Sequence, residues 1–221
     1  MNKKLLIVFI VVALMMGACS FGTITPNIVM GSGKVTSETR SLGSFSSVVL
    51  EGSANVSISF GTSQLVTVEA DDNILPLIET TVKNGQLVIS TRSNTNLSSR
   101  DSVKVNITME SLNGLTLSGS GDITVSGMNG DSLAVNLPGS GNITVTGTST
   151  SVQISLLGSG NIYCNELQAK SATVKLNGSG NIEVNASQSL NANLLGSGTI
   201  RYSGNPSQVN KSVTGSGSIT P

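Results

Sequence analysis

Residues 111–221 contain only four acids, Asp122, Asp131, Glu166 and Glu183, and the whole chain contains no His. Hydrolysis of a glycosidic bond needs two carboxyls flanking it, and eliminative cleavage needs a base with charge-stabilising partners. Aligned on the repeats described below, no two of these acids share an outward column in adjacent units, so neither arrangement is expected. Asp71 and Asp72 are sequence neighbours and would point to opposite faces of a strand. Without imidazole there is no Ser-His or Cys-His nucleophile pair and no His metal ligand, so no catalytic residue, metal site or cofactor is expected. The most ligand-like grouping is Tyr163, Glu183 and Arg201, separated by 20 and 18 residues. An aromatic ring, a carboxylate and a guanidinium side by side can grip a glycan or a protein surface by stacking and hydrogen bonding. The competing reading is a solvated strand face with no ligand.

Those side chains meet only if the chain repeats with their spacing, and it does. Gly-Ser-Gly, a polar residue and Ile recur from Gly119, Gly139, Gly158, Gly178, Gly196 and Gly215, at intervals of 20, 19, 20, 18 and 19 residues. Two residues before each first Gly stand Leu117, Leu137, Leu156, Leu176, Leu194 and Val213, and four after it always stands Ile. Apolar and polar residues alternate on both sides of the Gly-Ser-Gly, the pattern of two short strands with one buried face and a turn between them. Such a unit has too little apolar surface to fold alone and must stack on its neighbours. The prediction is an all-β chain forming a right-handed parallel β-helix with coils of 19–20 residues, because crossovers between parallel strands are nearly always right-handed.

Within that helix, Thr124, Thr144, Tyr163, Glu183, Arg201 and Thr220 form one outward column. The polar column Asp122, Asn142, Asn161, Asn181, Thr199 and Ser218 is placed to hydrogen-bond from coil to coil. Cys164 stands where Val fills the column in other coils and is expected to be a buried, inert thiol. A calcium-binding β-roll is disfavoured, since its repeat has period nine with an Asp in every copy, whereas only Asp122 is acidic here.

Ser, Thr and Asn make up 78 of the 221 residues, beside 25 Gly, a composition suited to short strands and many turns. Twelve Lys and Arg balance twelve Asp and Glu without a basic cluster, so nucleic acid is not an expected partner. Residues 34–110 also read as β, with apolar pairs such as Val56/Ile58 and Leu87/Ile89, and residues 72–78 read as a turn or short helical piece. Either irregular coils continuing the helix or a small separate sheet would satisfy this pattern.

The N-terminus carries Lys3 and Lys4, an apolar run from Leu5 to Met16, and then Gly17-Ala18-Cys19-Ser20. Twelve apolar residues suit a signal-peptide core and fall short of the ~20 needed to span a bilayer. Small residues before a Cys resemble the lipobox of bacterial lipoproteins, with Met16 in place of the usual Leu. The resemblance implies cleavage after Ala18, a diacylglyceryl anchor on Cys19 and a tether over residues 19–33, ahead of a β region at 34–110 and the repeats at 111–221. Ser20 rather than Asp after the Cys favours the outer membrane. An ordinary secretory signal with an incidental Cys is the alternative.

Arg40, Phe45, Gly52-Ser53, Val56-Ser57-Ile58, Gly61, the stretch Val66 to Asn73, and Gly85-Gln86-Leu87-Val88-Ile89 resemble the opening of the head GIN domain family of putative auto-transporter adhesins. The Gly-Ser-Gly-Asn-Ile copies match the remainder, so the resemblance spans about residues 31–219. It implies an exported, β-helical envelope protein and brings no catalytic motif with it. The expected function is a non-catalytic surface binding or adhesion module facing glycan or protein. The alternatives are a self-assembling envelope component, a homo-oligomer pairing through an open sheet edge in that case, and, less favoured, a polysaccharide-processing β-helix enzyme.

Overall fold

The computed structural model describes residues 27–98 and 103–221. Cys19 and the signal segment lie outside them. The strands are β1 (Asn27–Met30), β2 (Val35–Arg40), β3 (Ser47–Glu51), β4 (Asn55–Phe60), β5 (Leu65–Asp71), β6 (Ile78–Lys83), β7 (Gln86–Thr91), β8 (Thr95–Ser98), β9 (Lys104–Met109) and β10 (Gly114–Leu117). They continue as β11 (Asp122–Leu137), β12 (Asn142–Leu156), β13 (Asn161–Gly178), β14 (Asn181–Gly196), β15 (Thr199–Ser203), β16 (Gln208–Thr214) and β17 (Ser218–Thr220). The expected helical piece is a 3-10 turn at Leu75–Leu77.

Each long strand bends around the solenoid and pairs in parallel with the next at the repeat spacing, as in Ile123 with Ile143, Ile162 with Ile182, and Leu137 with Leu156. Like therefore packs on like. Leu117, Leu137, Leu156, Leu176 and Leu194 are completely buried, and so are Ile143, Ile162, Ile182 and Ile200. The solenoid makes about five turns.

At the corners the backbones hydrogen-bond from coil to coil, with Ser140 N–H donating to Gly119 O at 3.0 Å and Ser197 N–H to Gly178 O at 3.0 Å. That contact leaves no room for a side chain. A Cβ at Gly141 would lie 1.8 Å from the carbonyl oxygen of Gly121. The corner glycines are thus required by close approach.

Beside the corner runs a ladder of side-chain amides. Asn142 Nδ2 donates to Asp122 Oδ1 at 2.8 Å, Asn161 Nδ2 to Asn142 Oδ1 at 2.9 Å, and Asn181 Nδ2 to Asn161 Oδ1 at 2.9 Å. Asn161→Ala removes one bond it donates and one it accepts, and should cost about 1–2 kcal/mol. Thermal unfolding should show a midpoint lower by roughly 2–8 °C; an unchanged midpoint would show that the ladder adds nothing to water bonding.

The N-terminal half continues the same sheet. β3 pairs in parallel with β10 through Val48–Leu115 and Leu50–Leu117, and β4 with β11 through Val56–Ile123 and Ile58–Val125. Gly52-Ser53-Ala54 is an altered corner beneath Gly119-Ser120-Gly121, and Ser120 N–H donates to Gly52 O at 3.0 Å. Beyond it, β7 adds to β3 and β9 to β4, so order along the solenoid departs from order along the chain. Antiparallel strands finish this end, with β6 on β7, β5 on β9, and β2 on β5. Within the segment read as a tether, Asn27–Met30 forms β1, paired in parallel with β8 in a sheet of its own.

β16 is exposed throughout, with Val209 and Val213 at 41% and 45% exposure although their register partners Leu190 and Leu194 are buried. Lys211 stands in the core column opposite Ala192, and its Nζ lies 4.5 Å from the centre of the Tyr202 ring.

Candidate functional site

The repeat positions Tyr163 on β13, Glu183 on β14 and Arg201 on β15. Tyr163 is the register partner of Glu183, and Glu183 of Arg201, so the three are consecutive outward neighbours about 4.8 Å apart along the sheet. Their inward neighbours Ile162, Ile182 and Ile200 are completely buried, which anchors the strands beneath them. Tyr163 and Glu183 are half-buried and Arg201 is exposed. With Asn181 and Thr199 they line a shallow depression of about 210 Å³.

The column extends on both sides through small polar residues, with Ser57, Thr124 and Thr144 on one side and Thr220 on the other. Among the described residues, neither Glu183 nor Arg201 is part of an ion pair within 4.0 Å. The guanidinium fork and the carboxylate both face solvent beside a phenol ring. This arrangement can stack a sugar or peptide plane and bond to hydroxyls, and it holds no pair of carboxyls able to act on a glycosidic bond.

The other acids are placed apart from this column. Asp122 accepts from the backbone N–H and the side chain of Asn142 and so belongs to the ladder. Asp71 is buried and accepts from Gly33 N–H, whereas Asp72 bonds Ser32 Oγ at 2.6 Å and pairs with Lys34 at 3.5 Å. The Ser32 hydroxyl, with the charge of Lys34, holds the Asp72 carboxyl below its ordinary value. Among the described residues no group of His, Cys, Asp and Glu is arranged to hold a metal ion, and no helix is long and apolar enough to cross a membrane.

Cys164 is completely buried opposite Val184, and burial pushes its thiol up to about 12 from 9.0. The thiolate is the reactive form, so a disulfide reagent at pH 8 should leave native protein unlabelled at this position and label it only after unfolding. Rapid labelling of native protein at Cys164 would contradict this burial.

Sequence reasoning missed the altered corner at Gly52. Its signal was present in Gly-Ser, a polar residue at Asn55 and an apolar Val56, but Ala54 replaces the second Gly and the next repeat begins only at Gly119.

The family model described as "Putative auto-transporter adhesin, head GIN domain" matches residues 44–206. A solved putative adhesin from Bacteroides fragilis superposes with a TM-score of 0.74 at 25% identity, over 87% of this chain and 99% of that one. A putative lipid binding protein from Parabacteroides distasonis superposes at 0.55 with 24% identity, over 88% and 99%. A putative adhesin from the same organism superposes at 0.56 with 23% identity, over 88% and 99%. Among curated proteins none matches the sequence.

Proposed function

The chain belongs to the head GIN domain family of putative auto-transporter adhesins, and on that premise we propose that it is a lipid-anchored binding module of the cell envelope. Cys19 carries the anchor, and the column Tyr163, Glu183 and Arg201 forms a non-catalytic contact face for a glycan or a surface protein. The observation that carries the reading is the side-by-side placement of three chemically different side chains in a column whose adjoining members, Ser57, Thr124, Thr144 and Thr220, are all Ser or Thr. A solvated sheet face needs no such change of residue type in successive coils.

Saturable binding of the purified protein to one class in a panel of polysaccharides, peptidoglycan and envelope extract is expected. Combining Tyr163→Ala with Arg201→Ala should weaken it at least ~10-fold, about 1.4 kcal/mol. Absence of saturable binding to every member of the panel would overturn the contact face. For the anchor, Cys19→Ser should abolish incorporation of labelled palmitate and release the protein from membranes; retained label would refute acylation there.

A second reading, end-to-end self-assembly, is favoured by exposed Val209 and Val213 on β16. Lys211 works against it, because an inward charge on an edge strand must be desolvated when another strand adds. Lys211→Val should therefore convert a monomer into concentration-dependent assemblies by light scattering. A variant that stays monomeric would show that the edge is protected by something other than this charge.

A further inference from the structure

We infer that the outer face of the β1–β8 sheet, centred on Ile28 and Met30, rests on the lipid headgroup region of the membrane to which the chain is anchored. The inference rests on the anchor at Cys19 proposed above. Ile28 and Met30 are 65% and 73% exposed, more than any other large apolar residue among the described ones. They alternate along β1 and so share a face. Val29 and its register partner Leu97 turn the other way and pack against the core. β1 is therefore apolar on both sides while only one side is covered. Opposite Ile28 and Met30 on the open face stand Asn96 and Ser98, giving a mixed surface suited to an interface more than to hydrocarbon.

The chain length narrows the occupant. From Cys19 to Ile28 is nine residues, a reach of at most about 30 Å. An acylated Cys19 would keep the patch beside the bilayer at high effective concentration, so a weak contact suffices. A second copy would need far more surface. Two strands of four residues offer a face of roughly 130 Å² from strand dimensions, against about 800 Å² per partner in a stable interface.

β1 is also paired to β8 and tied to the body through Asn73. Gly31 N–H donates to Ser98 O at 2.9 Å, Asn73 Nδ2 to Met30 O at 2.7 Å, and Ser32 N–H to Asn73 Oδ1 at 2.9 Å. Seating the patch therefore sets the attitude of the whole solenoid. The sheet lies at the N-terminal end, where its Thr95 to Leu97 adjoin the Gly52 and Gly119 corners. Tyr163, Glu183 and Arg201 lie on strands farther along the stack, so a patch seated on lipid leaves them clear of it.

The chain contains no Trp, so a single introduced indole reports its own surroundings. Met30→Trp and, separately, Ile28→Trp are made in the full acylated chain, with Leu195→Trp as an exposed reference, and each is reconstituted into phosphatidylethanolamine/phosphatidylglycerol vesicles. Lipids brominated near the headgroup should quench the indole of the Met30→Trp and Ile28→Trp chains at least ~2-fold more than that of the Leu195→Trp chain. Flotation of the Leu195→Trp chain with the vesicles reads the anchor independently. Flotation with equal, weak quenching in all three chains overturns the membrane contact and leaves the anchor standing. A chain that does not float overturns both. Blue-shifted emission from the Met30→Trp chain without lipid quenching overturns the contact as well, pointing to a second copy if it varies with protein concentration and to residues 20–26 if it does not.

Discussion

Gly141→Ala is expected to lower stability by about 3 kcal/mol, read as a fall of roughly 6–12 °C in the thermal midpoint. The added Cβ would sit 1.8 Å from the Gly121 carbonyl oxygen and 2.9 Å from a Leu117 methyl carbon. The two corners are tied by backbone hydrogen bonds, with Gly141 N–H donating to Gly119 O at 3.3 Å and Asn161 N–H in turn donating to Gly141 O at 3.2 Å. Relief therefore requires neighbouring coils to separate, and a change of rotamer does not help. Gly43→Ala is the control, since a Cβ there meets nothing within 4 Å. It should shift the midpoint by no more than a degree or two, corresponding to about 0.5 kcal/mol. Equal midpoints for the two variants would mean that the coils do not stack through their corners.

Leu156→Ala is expected to cost about 2–5 kcal/mol, the range for emptying a buried leucine site. Leu156 is completely buried, paired with Leu137 below and Leu176 above, and its methyl carbons lie 3.1 Å from where a Cβ on Gly180 would stand. Three coils contribute to the resulting cavity, and each is held by backbone hydrogen bonds that resist collapse into it. The adjacent Leu157 is 53% exposed at the corner, so Leu157→Ala should change stability by less than about 0.5 kcal/mol. Denaturant unfolding of the pair separates the buried end of β12 from the exposed corner beside it. Similar midpoints would mean that Leu156 does not belong to the inward column.

Much of this architecture is legible in the sequence. The interval between Gly-Ser-Gly copies equals the coil length, so aligning the copies is equivalent to stacking them. The columns headed by Leu117 and Ile123, the amide ladder and the adjacency of Tyr163, Glu183 and Arg201 all follow from that equivalence. The corner glycines can be read as sites of close approach, though only the folded chain shows a carbonyl oxygen 1.8 Å from the missing Cβ of Gly141.

The N-terminal half is less readable because its pairings are not periodic. β3 is followed along the chain by β4, β5 and β6, yet packs between β10 and β7. Nothing in a local pattern of alternating residues records which distant strand is its neighbour, since that choice is made by burial of Val48 and Leu50 in the core of the finished solenoid. The same limit hides β1, whose run Asn27-Ile28-Val29-Met30 has no alternation and gains a face only when Val29 meets Leu97 and the core.

The sequence by itself determined the all-β class, the coil length, the inward columns and the register of the repeats, because in a periodic stack each coil meets a copy of itself. Tertiary structure alone decided the order of the N-terminal strands, the placement of Lys211 over Tyr202, the depression beside Arg201 and the exposure of Ile28 and Met30. Those features depend on contacts between unlike segments far apart in the chain, and their energies are set by what packs against them once the solenoid has formed.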